Sequence, residues 1–186
     1  MKRLILLLSV VVPLSHQTSL ADDWPQWFGP QRDGIWRETG IVEKLPTGGP
    51  ELVWKAPIGT GYAGPAVSGG RVYVFDRTLA DVTDLPDNPF ERGEIPGKES
   101  LHCLESATGK VVWSKSYDTN YTVSYAAGPR CTPVIHEGLV YTLGAEGRLF
   151  VRRVGTGDVV WEKDFVSVLK TKTPTWGFAA TPLIED

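Results

Sequence analysis

The sequence predicts an all-β protein built from repeated four-stranded units. Three observations carry that prediction. The stretch ESATGKVVW at 105–113 returns as RVGTGDVVW at 153–161, so that Thr108-Gly109 and Thr156-Gly157, and Trp113 and Trp161, stand 48 residues apart. A period of that size signals one supersecondary unit repeated along the chain. Short runs rich in β-branched and aromatic residues alternate with turn residues, as strands and hairpins do. Beyond the N-terminus, no window of 12 or more residues shows the 3.6-residue apolar period of an amphipathic helix. Four short strands per roughly 45 residues is the size of a β-propeller blade.

The chain opens with Met1-Lys2-Arg3, an apolar run from Leu4 to Leu14, and small residues at Ser19 and Ala21. That order reads as a secretory signal cut after Ala21, which makes the protein exported, to a periplasmic or extracellular compartment. The apolar run holds 11 residues including Pro13, short of the ~20 helical residues that span a bilayer. No cysteine follows Ala21 to carry a lipid anchor. Cutting there removes two positive charges and moves the net charge from −3 to −5. A mildly acidic surface without a Lys/Arg run argues against nucleic acid and anionic lipid as partners.

Residues 22–48 follow as an N-terminal segment, whose WPQWFGP places Trp24, Trp27 and Phe28 to pack on the propeller. The propeller portion is 49–186. It begins with PELVWKAPI (50–58), read as the closing strand of an early unit. GRVYVFD (70–76), SLHCLES (100–106) and KVVWSKS (110–116) are the strands of the next unit. GLVYTLG (138–144), GRLFVRR (147–153) and DVVWEKD (158–164) are those of the one after. Pro133 and Pro182, in CTPVI and ATPLI, are 49 apart, but Pro65 and Tyr73 lie 68 before Pro133 and Tyr141. The surplus falls in 77–100, a polar stretch with three prolines, and reads as a long inserted loop. The chain stops at Asp186, inside the next unit, and is expected to be an N-terminal fragment supplying about three blades.

Within the repeat, Gly109 and Gly157 suit a tight hairpin turn that needs positive φ. Trp113 and Trp161, on the fourth strand of their units, are large enough to bury ~150–250 Å² against the following blade. Cys103 and Cys131 fit either a disulfide or two separate buried thiols, and their placement inside repeat units favours the latter.

CLESATGKVVW and VRRVGTGDVVW resemble the tryptophan-docking motif of the pyrroloquinoline-quinone-type propellers. In that motif Cys103 takes the position of a small alanine, Thr108, Gly109, Thr156 and Gly157 form the turns, and Trp113 and Trp161 are the docking rings. Glu105 stands for an aspartate, while Arg153 does not, which implies one inter-blade hydrogen bond fewer in the second copy. DWPQWFGPQRDG, YAAGPRCTPVI, YTLGAEGRL and WGFAATPLI extend the resemblance to exported PQQ-like repeat proteins over nearly the whole mature chain. Relatives in that group include quinoprotein alcohol dehydrogenases and the assembly scaffold BamB. The resemblance implies an eight-bladed ring, of which this chain holds part, and a redox or a scaffolding role.

The candidate chemistry is sparse. Quinoprotein dehydrogenases hold PQQ with Ca²⁺, and many carry adjacent cysteines, which Cys103 and Cys131 are not. Asp81, Asp84, Asp87, Asn88, Glu91 and Glu94 offer oxygen ligands but lack the glycine of a calcium loop, so a solvated acidic loop is expected. His102, in a strand, and His136, in a hairpin turn, have no third metal ligand in view. Arg130 follows a Gly-Pro turn between units. There it either binds a carboxylate or phosphate, or satisfies loop carbonyls. Tyr117, Tyr121, Tyr125 and Trp176 are placed in similar loops, where they either line a ligand surface or cover the ends of the blades. Arg130, Tyr125 and Trp176 are the candidate ligand surface, with no catalytic residue, metal or cofactor assigned. The expected function is a non-catalytic scaffold binding a protein or small ligand; the alternative is a PQQ-dependent oxidoreductase of alcohols or sugars.

Overall fold

The computed structural model of the chain describes residues 22–81 and 85–185. The expected signal at 1–21 and Asp84 of the acidic loop lie outside the described residues. Two four-stranded antiparallel sheets follow one another along the chain, each in simple meander order. The first comprises β1 (Ala66–Ser68), β2 (Arg71–Leu79), β3 (Ile95–Glu105) and β4 (Val111–Tyr121). The second comprises β5 (Val134–His136), β6 (Leu139–Leu143), β7 (Arg148–Arg153) and β8 (Val159–Asp164). A short helix, α1 (Phe165–Leu169), is capped by the Asp164 carboxylate, which accepts from the amides of Val166 at 2.9 Å and Ser167 at 3.3 Å.

The two sheets are copies at the level of register. Tyr73 lies opposite Cys103, and Cys103 opposite Trp113; in the second sheet Tyr141, Val151 and Trp161 form the same row. A small residue between two large rings lets both lie over the strand without crowding. The β-bulge between Cys103 and Leu104 recurs between Val151 and Arg152. Period-two alternation directs Tyr73, Phe75, Leu101, Cys103 and Trp113 to one face, where they pack with Val140 of the next sheet. Cys103 and Cys131 are separate buried thiols.

Trp113 crosses from one sheet to the other. Its Nε1 donates to Val154 O at 2.9 Å, three residues before Gly157, and its ring lies where a Cβ on Gly157 would be, 2.7 Å away. Trp54 does the same one unit earlier, donating to Ser106 O at 2.7 Å, three residues before Gly109. Lys115 reaches Asp158, beside Gly157, at 3.1 Å. Glu105, by contrast, accepts from Thr108 within its own turn and pairs with Arg71 of its own sheet. The expected inter-blade bond at that position is therefore an intra-blade one.

Three further expectations are corrected. The stretch 77–100 is not one long loop: β2 runs on to Leu79 and β3 starts at Ile95, so the connection is 80–94. Nine residues of that stretch fit the ladder because Arg77, Glu99 and Ile95 have inward places to fill. PELVWKAPI (50–58) joins no ladder among the described residues, although it delivers Trp54. In the N-terminal segment Trp24 pairs with Val67 of β1, and Pro25 O accepts from Ile135 N of β5 at 2.9 Å. Arg32 Nη1 donates to Pro182 O at 3.3 Å. Trp27 and Phe28, expected to be packed, stack mainly on each other and stay half-exposed.

Candidate functional site

At the end of the sheets where β4 hands over to β5, four connections converge. Tyr62 N donates to Pro129 O at 2.8 Å, and Ser124 N to Thr175 O at 2.8 Å. Tyr125 N donates to Pro89 O at 2.7 Å, and Ser124 Oγ to Phe90 O at 2.8 Å. These bonds bring the segment before β1, the 80–94 connection, the β4–β5 connection and the segment after α1 to one place.

Four rings meet there. Tyr125 lies 5.6 Å from Trp176, 5.3 Å from Phe90 and 6.5 Å from Tyr62, centroid to centroid, and Phe90 lies 5.7 Å from Trp176. Tyr62, Phe90 and Trp176 are 51%, 59% and 51% exposed. Tyr62, Tyr125, Arg130, Trp176 and Ala179 line an open cavity of about 240 Å³. Tyr125 has a φ of 55°, in the left-handed region that costs a non-glycine residue ~1–2 kcal/mol. Its two neighbours in hydrogen bonding, Pro89 and Arg130, hold it there.

Arg130 underlies the cluster. Its Nε donates to Trp176 O at 3.0 Å, its Nη2 to Ser124 O at 2.7 Å and Tyr125 O at 2.6 Å, and its Nη1 to Gly128 O. Four of the five N–H groups of a guanidinium are thus committed to backbone carbonyls. Its carbon lies 5.1 Å from the Tyr62 ring centroid. Of the two readings open for Arg130, the geometry selects the carbonyl-satisfying one. The three expected surface residues, Arg130, Tyr125 and Trp176, come together, with Arg130 beneath and the rings above. Sequence reasoning missed Tyr62 and Phe90. Phe90 sits in the acidic stretch, where only its isolation among polar residues marked it.

Tyr117 and Tyr121 belong elsewhere. Both are in β4, not in loops, and their hydroxyls donate to Glu99, which is 1% exposed. Glu99 also accepts from Ala145 N of the second sheet at 3.0 Å. A Cβ on Gly144 would lie 2.2 Å from a Glu99 carboxylate oxygen, so the β6–β7 turn needs glycine to let the carboxylate approach. Burial pushes the Glu99 carboxyl up from its ordinary value, against the hydrogen bonds from the two phenols and the amide. Arg77, fully buried, stacks 3.9 Å over the Tyr121 ring and donates to Ala126 O at 2.7 Å. This network joins the two sheets directly below the ring cluster.

His102 is in β3 as expected, and His136 closes β5. His102 Nε2 is 3.1 Å from both Asp76 oxygens, and Nδ1 is 2.8 Å from Ser114 Oγ. His102 and Ser114 lie directly opposite each other on β3 and β4, and Asp76 reaches His102 diagonally from β2. Asp76 also accepts from Gly59 N, which makes the group a tether for the segment before β1. No group of three or more His, Cys, Asp or Glu suited to a metal occurs among the described residues. A quinone cofactor carrying carboxylates and a hard cation needs uncommitted cationic donors and clustered oxygen ligands. At the ring cluster Arg130 has four of its five N–H groups on carbonyls and leaves one for such a group.

The family described as outer membrane protein assembly factor BamB matches residues 38–173. Among solved structures the chain is similar to BamB from Moraxella catarrhalis, with 19% identity and a TM-score of 0.39, over 56% of this chain and 25% of that one. It is also similar to a europium-containing methanol dehydrogenase, with 18% identity and a TM-score of 0.26, over 60% of this chain and 26% of that one. The chain thus spans about a quarter of the length of these structures. No curated protein matches it.

Proposed function

The chain belongs to the PQQ-like repeat family described as outer membrane protein assembly factor BamB, and on that premise we propose that it is an exported, non-catalytic scaffold. In this reading Cys103, Thr108, Gly109, Trp113, Thr156, Gly157 and Trp161 dock successive blades. The surface of Tyr62, Phe90, Tyr125 and Trp176 engages a protein or small-ligand partner. The observation that supports it is the ring cluster itself. Large aromatic side chains half-exposed at one spot mark an interaction surface when their backbones are already fixed. Arg130, spending its guanidinium on three carbonyls of its own connection and one of the segment after α1, supplies that fixity.

A photo-cross-linking residue at position 90, introduced in the producing cell, is expected to capture discrete partners. The same residue at position 112, exposed on β4 and away from the rings, is expected not to. In parallel, the protein is incubated with PQQ, Ca²⁺, an electron-accepting dye and a panel of alcohols and sugars. Sustained, PQQ-dependent dye reduction would overturn the non-catalytic reading in favour of a quinoprotein oxidoreductase.

A further inference from the structure

The ring cluster has a one-sided chemical setting. Its cavity is lined by three aromatic rings, an alanine and the largely committed Arg130. It lacks the side-chain amides and carboxylates that would satisfy the hydroxyls of a sugar ring. An anionic ligand finds no good partner either, because most of the donors of Arg130 already point at carbonyls. On the Phe90 side the surface is negative. Asp87, Glu91 and Glu94 flank Phe90 and are all exposed. None of the three makes an ion pair among the described residues. Arg92, the cation of that stretch, is tied through Nε to Thr122 O at 2.7 Å.

The connection itself is anchored. Phe90 N donates to Asn88 Oδ1 at 3.1 Å and Glu91 N to Asn88 O at 2.9 Å, closing a turn that presents the ring and the carboxylates together. The Pro89 and Phe90 carbonyls are held by Tyr125 N and Ser124 Oγ. A pre-formed apolar surface beside fixed carboxylates suits a ligand that carries both an apolar anchor and positive charge.

We propose that this surface docks an extended basic peptide segment of a protein partner. A proline or aromatic residue would lie on Tyr62, Tyr125 and Trp176, and adjacent Lys or Arg residues would face Asp87, Glu91 and Glu94. The exposed faces of Phe90 and Trp176 add attraction for a cation, which a guanidinium uses best. The inference rests on the binding-module reading above and specifies the chemistry of its partner.

Three fluorescently labelled synthetic peptides of equal length test it on the full chain by anisotropy at low and high salt. One alternates Lys with Pro and Trp, one replaces each Lys by Glu, and one replaces Pro and Trp by Gly and Ser. The first is expected to bind saturably and the other two roughly tenfold or more weakly. Trp176→Ala should weaken the first peptide by a similar factor. The combined Asp87→Asn, Glu91→Gln and Glu94→Gln variant should weaken it and flatten its salt dependence. Near-ultraviolet circular dichroism would show both variants folded. Equal or tighter binding of the acidic peptide, or unchanged binding by the triple variant, overturns the proposal. If no peptide binds while position 90 still cross-links a partner in a Trp176-dependent way, the binding-module reading stands and the basic-peptide chemistry falls. If neither is seen, both fall.

Discussion

A Cβ on Gly157 would sit 2.7 Å from the ring of Trp113, and one on Gly109 2.5 Å from the ring of Trp54. Both glycines also have positive φ, 72° and 69°. Two constraints therefore act on one atom: the turn needs a left-handed residue, and the indole of the preceding unit needs the space. Gly157→Ala is expected to cost ~1–3 kcal/mol from overpacking alone, read as a lower urea midpoint at unchanged slope. Trp113, 9% exposed, and Trp161, 41% exposed, occupy the same register position in their sheets. Trp113→Ala should cost ~3–5 kcal/mol, and Trp161→Ala below ~1 kcal/mol, as exposed substitutions usually do. Equal costs at the two positions would show that the contact with the following turn is not what stabilises the ring.

The N-terminal segment and the β2–β3 hairpin each do more than the sequence assigned to them. Trp24 pairs in both directions with Val67 on the edge of β1, at 2.8 and 2.9 Å, and Pro25 O accepts from Ile135 N in β5. Asp23 adds bonds to Ser68 Oγ and Gly69 N at 2.9 and 3.0 Å. One extended strap thus satisfies edge amides of both sheets, which would otherwise offer pairing sites to other chains. Removing residues 22–32 is expected to speed hydrogen exchange at the amides of Val67 and Ile135, while the amides of β3 exchange as before. Uniform acceleration across both sheets would instead make the strap part of the global folding unit. The lengthened hairpin, for its part, delivers Phe90 to a surface shared with the other connections.

Across the whole molecule, the sheets are joined by a wedge at one end and a buried polar network at the other. The Glu99 carboxyl is the centre of that network, and burial raises its pKa above the ordinary value. The folded protein then holds this proton to a higher pH than the unfolded chain does. Between the two values the folded state binds more protons, so stability falls as pH rises through that window and is fullest below the unfolded value. Burial and the nearby Glu99 push the Tyr117 and Tyr121 phenols well above their ordinary values, so both stay donors throughout. The stability of the wild type relative to Glu99→Gln, read from denaturation midpoints from pH 4 upward, should decline as pH rises, because the carboxyls held low at Asp33, Glu105 and Asp158 are common to both proteins and cancel. A difference that instead grows with pH would place the charged carboxylate as the better-stabilised form.

The sequence by itself determined the all-β class and the repeated four-stranded unit. Those features are legible because they depend on local periodicity and on turn chemistry that recurs at a fixed spacing. It also offered Arg130, Tyr125 and Trp176 as a candidate ligand surface from their place in loops between units, and put Tyr117 and Tyr121 in similar loops. Only the tertiary structure decided what each does. Arg130 faces carbonyls contributed by residues up to 46 positions away, and no local pattern encodes which groups will be left short of donors. Tyr117 and Tyr121 turn inward because Glu99, opposite Tyr117 on the neighbouring strand, must be satisfied once buried. Phe90 joins the rings because its connection is pulled down by Ser124 and Tyr125. Strands are written in nearest-neighbour preferences, whereas a surface assembled from four connections exists only after the sheets have fixed where those connections end.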